Sequence, residues 1–293
     1  MGISLMVVLI VLTLGDVVSR RVQLTSDLND RARAETLVYS AYNLALYHLL
    51  TGSWFPTGVQ IQPVETVLPA LQTTDSPRFW NLYGEPIPMG DDVTVRLQDG
   101  AGLIAPLFNR GDFRRLVEHF SGDRGLAARW TDALADWCDQ DDLRHLNGAE
   151  RWDYTGAGKR RAPRNALAQS LEELMVVRGA DREVFDRIKD FLIYWWPANV
   201  NYLTMDVRLL EALLGDVESA SRIIELRRAG LLTPALFTRL TGIRETEDNI
   251  FRPSGLVRMD IDARAGGSRD RLRAVILKEE TDARPFMVLE WRR

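Results

Sequence analysis

From residue 24 to residue 50 the chain contains neither proline nor glycine, and this stretch follows closely on an apolar run at residues 3–14 broken only by Ser4 and Thr13. Within it Leu37, Ala41, Leu44, Ala45 and His48 recur at the spacing of one helical face. Gly52 and then Pro56 end the pattern. The sequence thus predicts one long helix, apolar at its start and amphipathic later, and the rest of the fold must be built around it. The apolar run is shorter than the ~20 residues that cross a bilayer. It lacks both the basic flank and the small-x-small cleavage site of a secretory signal. We read residues 1–21 as a membrane-embedded segment continuous with the helix.

A packed core is feasible elsewhere, because 46% of the residues are hydrophobic and 27% charged. The net charge of -4 argues against nucleic acid as a partner, since phosphate binding needs concentrated Lys and Arg. The single cysteine, Cys138, and three histidines (His48, His119, His145) make a Cys/His zinc site a poor fit.

Residues 55–90 are rich in Pro, Thr and Gly and read as loop. Val93, Val95 and Leu97 alternate with Thr94, Arg96 and Gln98, the pattern of a half-buried strand, and a Gly-containing turn follows at residues 99–102. A helical pattern occupies residues 113–230. Alternation returns where Val257, Met259, Ile261 and Ala263 interleave with Arg258, Asp260, Asp262 and Arg264, and further strands are expected at 272–278 and 286–291. Strand, helical block, strands is the order of a helical domain inserted into a sheet, because the later strands need a sheet to join. The expected fold is α+β: a long N-terminal helix packed on an antiparallel sheet, with a large α-helical domain inserted between strands. The expected divisions are 1–21, 22–102, 103–230 for the insertion and 231–293 for the closing strands.

Residues 132–154 hold seven carboxylates (Asp132, Asp136, Asp139, Asp141, Asp142, Glu150, Asp153) against two arginines. Such crowding is self-repelling unless the loop is solvated or a cation neutralises it. Asp139, Asp141 and Glu150 fall at the first, third and twelfth positions of a calcium-loop window, but Leu143 and Arg144 occupy the places of a ligand and the turn glycine, so this is not an EF-hand. A differently wound calcium loop and a solvated loop of helix-capping aspartates both remain open at this point. The cluster Gly156, Ala157, Gly158, Lys159 is half a phosphate loop at most, because Asp153 and Arg160 stand where Gly and Ser or Thr are needed. The Asp139 and Glu150 pair would suit a membrane-anchored periplasmic hydrolase. Short paired helices around 171–179 and 204–215 would suit a helix-hairpin-helix DNA-uptake protein. Trp195 and Trp196 beside Pro197 read as core at a helical join.

Several ordered segments resemble one family. Gly2 before Ile3, Ser4 and Leu5 looks like a prepilin peptidase site, with a mature chain beginning at Ile3. Then come Asp99-Gly100-Ala101-Gly102, Asp136-Trp137-Cys138-Asp139-Gln140-Asp141, Gly148-Ala149-Glu150, Ser170-Leu171-Glu172-Glu173-Leu174 and Asn199-Val200-Asn201-Tyr202-Leu203. In this series the chain resembles the K-type minor pseudopilins of type II secretion. It departs from their pattern at Gly100 (usually Glu), Tyr202-Leu203 (usually Thr-Ala) and Arg151 (often Asp). The resemblance implies a non-enzymatic subunit at the tip of a periplasmic pseudopilus, supporting protein export. It also implies a single N-terminal span in the inner membrane, I-type and J-type pseudopilin partners, a major pseudopilin below, and no nucleic acid. Calcium in the helical domain is implied too, with Asp139, Asp141 and Glu150 as ligands and Asp153 or backbone oxygens completing the shell. In pilin-like helices the fifth mature residue is normally Glu. Here that position is Val7, which cannot pair with a neighbour's amine and so implies a place at the end of the fibre. Tyr39, Tyr42, Leu46 and Leu49 offer a second apolar stripe on the helix, which we expect at 31–49 to meet the two partners.

Overall fold

The computed structural model describes residues 2–61, 79–158, 162–195, 199–281 and 284–293, and for residues 2–13, 280 and 281 the backbone alone. Helix α1 (Gly2–Thr51) is continuous, running through Gly15 into the stretch at 24–50 that is free of Pro and Gly, and Gly52 closes it through a hydrogen bond to the His48 carbonyl. Val7 lies on α1, but its side chain is outside the described residues, as are Trp196 and Lys159 to Arg161 altogether. Among the described residues, no helix is long and apolar enough to cross a membrane.

Five strands form an antiparallel sheet in the order β4 (Ile87–Met89), β5 (Val93–Asp99), β6 (Leu256–Ala265), β7 (Ser268–Thr281) and β8 (Arg284–Arg292). The alternation read from the sequence sets its two faces. Val93, Val95, Leu97, Val257, Met259, Ile261 and Ala263 are buried on one side and pack on α1. Ala34, Ala41 and Ala45 on α1 have no solvent exposure, and their small size lets the helix sit close to the sheet. Each fully buried Leu or Val in this layer contributes ~1.5–3 kcal/mol of apolar transfer. The helix is also tied polar-side to the β6–β7 turn, where Asp30 accepts the Gly267 N–H, and to the last residue, where Glu35 pairs with Arg293 at 2.7 Å.

This face of α1 is wider than expected. Tyr42, Leu46 and Leu49 are buried in the chain's own helix-on-sheet core, and Tyr39 stacks on Trp291 while staying exposed, so three of the four residues of the expected second stripe are core and not a free surface. Apart from Tyr39 and Tyr47, the large apolar side chains that α1 leaves exposed lie lower down, at Leu14, Val17, Val18, Val22, Leu24 and Leu28. The segment read as loop also carries structure. It forms three-residue strands β1 (Ser53–Phe55), β2 (Gly58–Gln60) and β3 (Phe79–Asn81), which make a second small antiparallel sheet.

Between β5 and β6 the chain leaves the sheet and builds a helical layer from α2 (Arg110–Ser121), α3 (Arg124–Cys138), α4 (Arg151–Gly156), α5 (Arg182–Ile188), α6 (Val207–Leu214), α7 (Val217–Arg228) and α8 (Pro234–Thr241). Asp and Thr caps start most of these helices: Asp123 accepts the Gly125 and Leu126 N–H groups, Asp181 that of Val184, and Thr233 that of Leu236. One apolar core runs through the layer around Phe113, Trp130, Leu134, Trp137 and Leu210. Leu232, Phe237 and Phe251 belong to the same core, so the layer continues past residue 230 and returns to the sheet only at Leu256. A third, smaller apolar cluster of Leu103, Ala105, Ile193, Leu256 and Val275, with Trp195 against it, joins the layer to the far face of the sheet.

The junction is otherwise polar, and Asp99 is its centre. Its carboxylate has no solvent exposure and accepts hydrogen bonds from Ser254 N (2.9 Å), Ser254 Oγ (2.7 Å), Thr204 Oγ1 (2.8 Å) and Asn201 Nδ2 (3.1 Å). Gln98 donates to the Thr204 carbonyl at 2.7 Å. Gly102 is needed here because a β-carbon would run into that same carbonyl. Burial pushes the Asp99 carboxyl up, while its donors from Ser254, Thr204 and Asn201 pull the other way.

Candidate metal centre

Helix α3 ends in the acidic segment. Asp136 and Asp139 are three residues apart, which stacks them on one face of the last turn, with Asp139 as the C-terminal cap residue. An irregular loop then leads to Glu150, the residue that starts α4. Asp136 and Glu150 are fully buried, and Asp139 is half-buried.

Four solvent-shielded carboxylate oxygens in this group have no hydrogen-bond partner among the described residues: Asp136 Oδ2, Asp139 Oδ1, and Oε1 and Oε2 of Glu150. A carboxylate left buried and uncompensated costs on the order of several kcal/mol. Burial, and then Asp136, Asp139 and Asp142 in turn, hold the Glu150 carboxyl above its usual range. Burial, and then Asp141 and Asp136, do the same to Asp139. A cation among them would remove the repulsion and satisfy the oxygens together. Room is reserved for Asp136 by Gly148, where a β-carbon would overlap Asp136 Oδ2.

The donor atoms of Asp136, Asp139 and His145 lie within 4.8 Å of one another. His145 reaches Asp136 Oδ1 twice, through its backbone N–H at 3.0 Å and through Nδ1 in a short contact. That holds the carboxylate so that Oδ2 faces away from the histidine. The donor set is dominated by hard oxygens, which suits calcium over softer metals.

Of the four expected ligands, Asp139 alone belongs to this close cluster, while Glu150 stands near enough to repel Asp136 and Asp139 without its oxygens joining that 4.8 Å group. Asp141 is exposed and its Oδ1 accepts the Leu143 N–H at 2.8 Å. Asp153 is engaged elsewhere: Oδ2 accepts the Glu150 N–H at 3.0 Å, and Oδ1 lies 3.5 Å from Arg144 and 3.6 Å from Arg178. Its position three residues after Glu150 makes it a helix-start partner, the local role of an acid at that place. Asp136, not assigned as a ligand from the sequence, supplies the oxygen that complements them. Its one-turn spacing from Asp139 was the available signal.

Comparison with known proteins bears on this layer first. Residues 104–196 match the family described as type II secretion system (T2SS), protein K. The type II secretion system protein K of Klebsiella pneumoniae is 29% identical over 150 residues, covering 48% of this chain and 46% of that one. That of Dickeya chrysanthemi is 33% identical over 123 residues, covering 39% and 34%. These matches span about half or less of the relatives' length. A chain of the crystal structure of the GspK-GspI-GspJ complex from the enterotoxigenic Escherichia coli type 2 secretion system shares the fold, with a TM-score of 0.51 at 16% identity over 94% of this chain and 98% of that one.

Proposed function

We propose that this chain is a member of the type II secretion system protein K family, whose model its residues 104–196 match, and that it is a non-enzymatic minor pseudopilin, an assembly subunit for protein export. The observation that carries this reading is the lower part of α1. Leu14, Val17, Val18, Val22, Leu24 and Leu28 stand exposed on a helix that has left its own sheet behind. Such a surface is stable only in lipid or against other helices. On this reading the start of α1 sits in the inner membrane, the sheet and helical layer lie in the periplasm, and α1 bundles with I-type and J-type pseudopilins. The helical layer's bulk and Val7 at the fifth mature position favour the top of the fibre, with the major pseudopilin beneath.

Calcium completes the proposal. Asp136, Asp139 and Glu150 would hold it, with Asp142, backbone carbonyls and water making up the 6–8 oxygens that calcium takes. Bound there, the ion would supply positive charge that fixes the α3–α4 loop, and no reaction is assigned to it.

The test is co-purification of the full chain in detergent with I-type and J-type partners, followed by light scattering. A ternary complex is expected, and Leu24→Glu with Leu28→Glu should dissolve it while leaving the periplasmic part folded. A wild-type chain that stays monomeric with both partners present would overturn the reading.

A further inference from the structure

The side of the five-stranded sheet that faces away from α1 is ordered by charge. Read across the strands, its rungs are Arg264 with Arg269, then Thr94, Asp262 and Arg271, then Arg96, Asp260, Arg273 and Arg292, then Gln98, Arg258, Val275 and Glu290. The four rungs hold seven arginines and three carboxylates, on a chain whose net charge is -4. Segregation of this kind creates a local positive field that the whole-chain charge conceals.

The carboxylates in the rungs are already matched. Asp262 takes Arg269 and Arg271, Asp260 takes Arg273 at 2.5 Å, and Glu290 takes Arg292 at 2.8 Å. Arg258 is mostly covered by the helical layer and donates to the Asp190 carbonyl at 2.9 Å. Arg96 and Arg264, by contrast, are exposed and form no ion pair among the described residues. Where the sheet meets the helical layer the surface deepens into an open cleft of about 630 Å³, lined by Arg96, Arg273 and Arg292 of the sheet and by Phe191, Arg208, Asp190 and Asp206 of the layer, with arginines outnumbering aspartates. A second hollow continues along β5 and β6 past Thr94 to Arg264, where Asp91, Asp92 and Asp262 stand among Arg96, Arg264 and Arg269 and leave this end balanced in charge.

We propose that this face is a docking surface for an acidic, extended polypeptide segment. Successive rungs are two residues apart, ~7 Å along the strands, which is also the spacing of same-side residues in an extended chain. Carboxylates at alternate positions of such a segment would meet successive rungs, and the planar guanidinium groups can grip them bidentately. Asp260 and Asp262 interrupt the positive surface at its centre. They disfavour a contiguous phosphate array, whether lipid headgroups or nucleic acid, and tolerate a ligand whose charges are spaced. The face is turned away from α1, so the proposal does not depend on the helix-mediated assembly above.

The test uses the full chain in uncharged detergent and a fluorescent peptide of alternating glutamate and serine, read by anisotropy. Saturable binding that weakens with salt is expected, and Arg96→Glu with Arg264→Glu should weaken it by about tenfold or more. Arg96→Lys with Arg264→Lys should keep most of it, and an unchanged melting curve for the Glu variant excludes misfolding as the cause. No saturable binding, or equal binding by the Glu variant, overturns the proposal. So does a face that ignores the peptide but holds phosphatidylglycerol vesicles in a manner the Glu variant abolishes.

Discussion

Asp99 and Glu150 are both closed off from solvent, yet their oxygens meet different surroundings. Asp99 is surrounded by donors from two separate parts of the chain, Asn201 with Thr204 in one and Ser254 in the other. Glu150 faces Asp136 and Asp139, with no side-chain donor among the described residues and only the Arg151 backbone pulling the other way. The first carboxylate is solvated by the protein itself, and its job is to fasten the helical layer to the sheet. The second is gathered with others of its kind, an arrangement that folding alone does not reward and that a cation does. Burial of an acid therefore says little about its role until its partners are counted.

The comparison is most exposed to failure at Asp99. Asp99→Ala removes the acceptor of four donor groups at the layer junction, of which the Thr204 and Ser254 hydroxyls keep a second acceptor, and at ~1–3 kcal/mol for each group left unsatisfied the loss should be on the order of 3–5 kcal/mol. It should appear in urea unfolding of the full chain in detergent, and calcium should not repair it. A calcium-rescued Asp99→Ala would show that the two centres are not separate.

Next in size is calcium itself. At a hundredfold excess over its dissociation constant it should stabilise the wild-type chain by ~2.7 kcal/mol, with a rise in Tm. Glu150→Gln should remove that gain, while Asp99→Asn should keep it. Chelator that leaves the wild-type melting curve unchanged would sink the metal assignment.

Gly148→Ala should act more narrowly. Its methyl displaces Asp136 Oδ2, so calcium affinity by isothermal titration should fall by about tenfold, equivalent to ~1.4 kcal/mol. Unchanged affinity would remove Asp136 from the centre.

The smallest effect is on pH in chelator. Asp139 and Glu150 are held above their ordinary values of 3.8 and 4.5, so the folded chain binds protons more tightly than the unfolded one. Their contribution is present at low pH and lost as pH rises through the raised values. The metal-free wild type should therefore lose stability as pH rises above the ordinary carboxylate range, Glu150→Gln should lose less, and calcium should flatten the difference. A wild type that gains stability over that rise would contradict the repulsion described for the centre.

Much of the fold was legible because it rests on local periodicity. The absence of Pro and Gly gave α1, and strict alternation at residues 257–264 gave a strand with one buried face, a register that the structure keeps. The small sheet of β1 to β3 was not legible, since three-residue strands in a Pro- and Gly-rich stretch have no period to detect. The width of the buried face of α1 was misread for a related reason. Tyr42, Leu46 and Leu49 are apolar on any wheel, and only the sheet's extent decides that they are covered. At the metal centre, composition located the cluster but could not sort ligands from caps. That needed the backbone, which points Asp153 at the Glu150 N–H and brings Asp136 toward Asp139. The segments around Asp99 and Asn201, weak when read singly, prove to touch each other.

The ladder between β5 and β6 has a mechanical consequence. The chain departs from the sheet just after Asp99 and returns at Leu256, and Asp99 lies directly opposite Val257. Both ends of the long helical excursion are therefore anchored on adjacent strands. A pull or push transmitted between α1 and β8 runs through the inter-strand hydrogen bonds and bypasses the excursion. The helical layer comes under tension only after the β5–β6 pairing has torn. In a subunit driven along an axis, that wiring lets the bulky part ride with the movement while the slender helix and sheet carry the load.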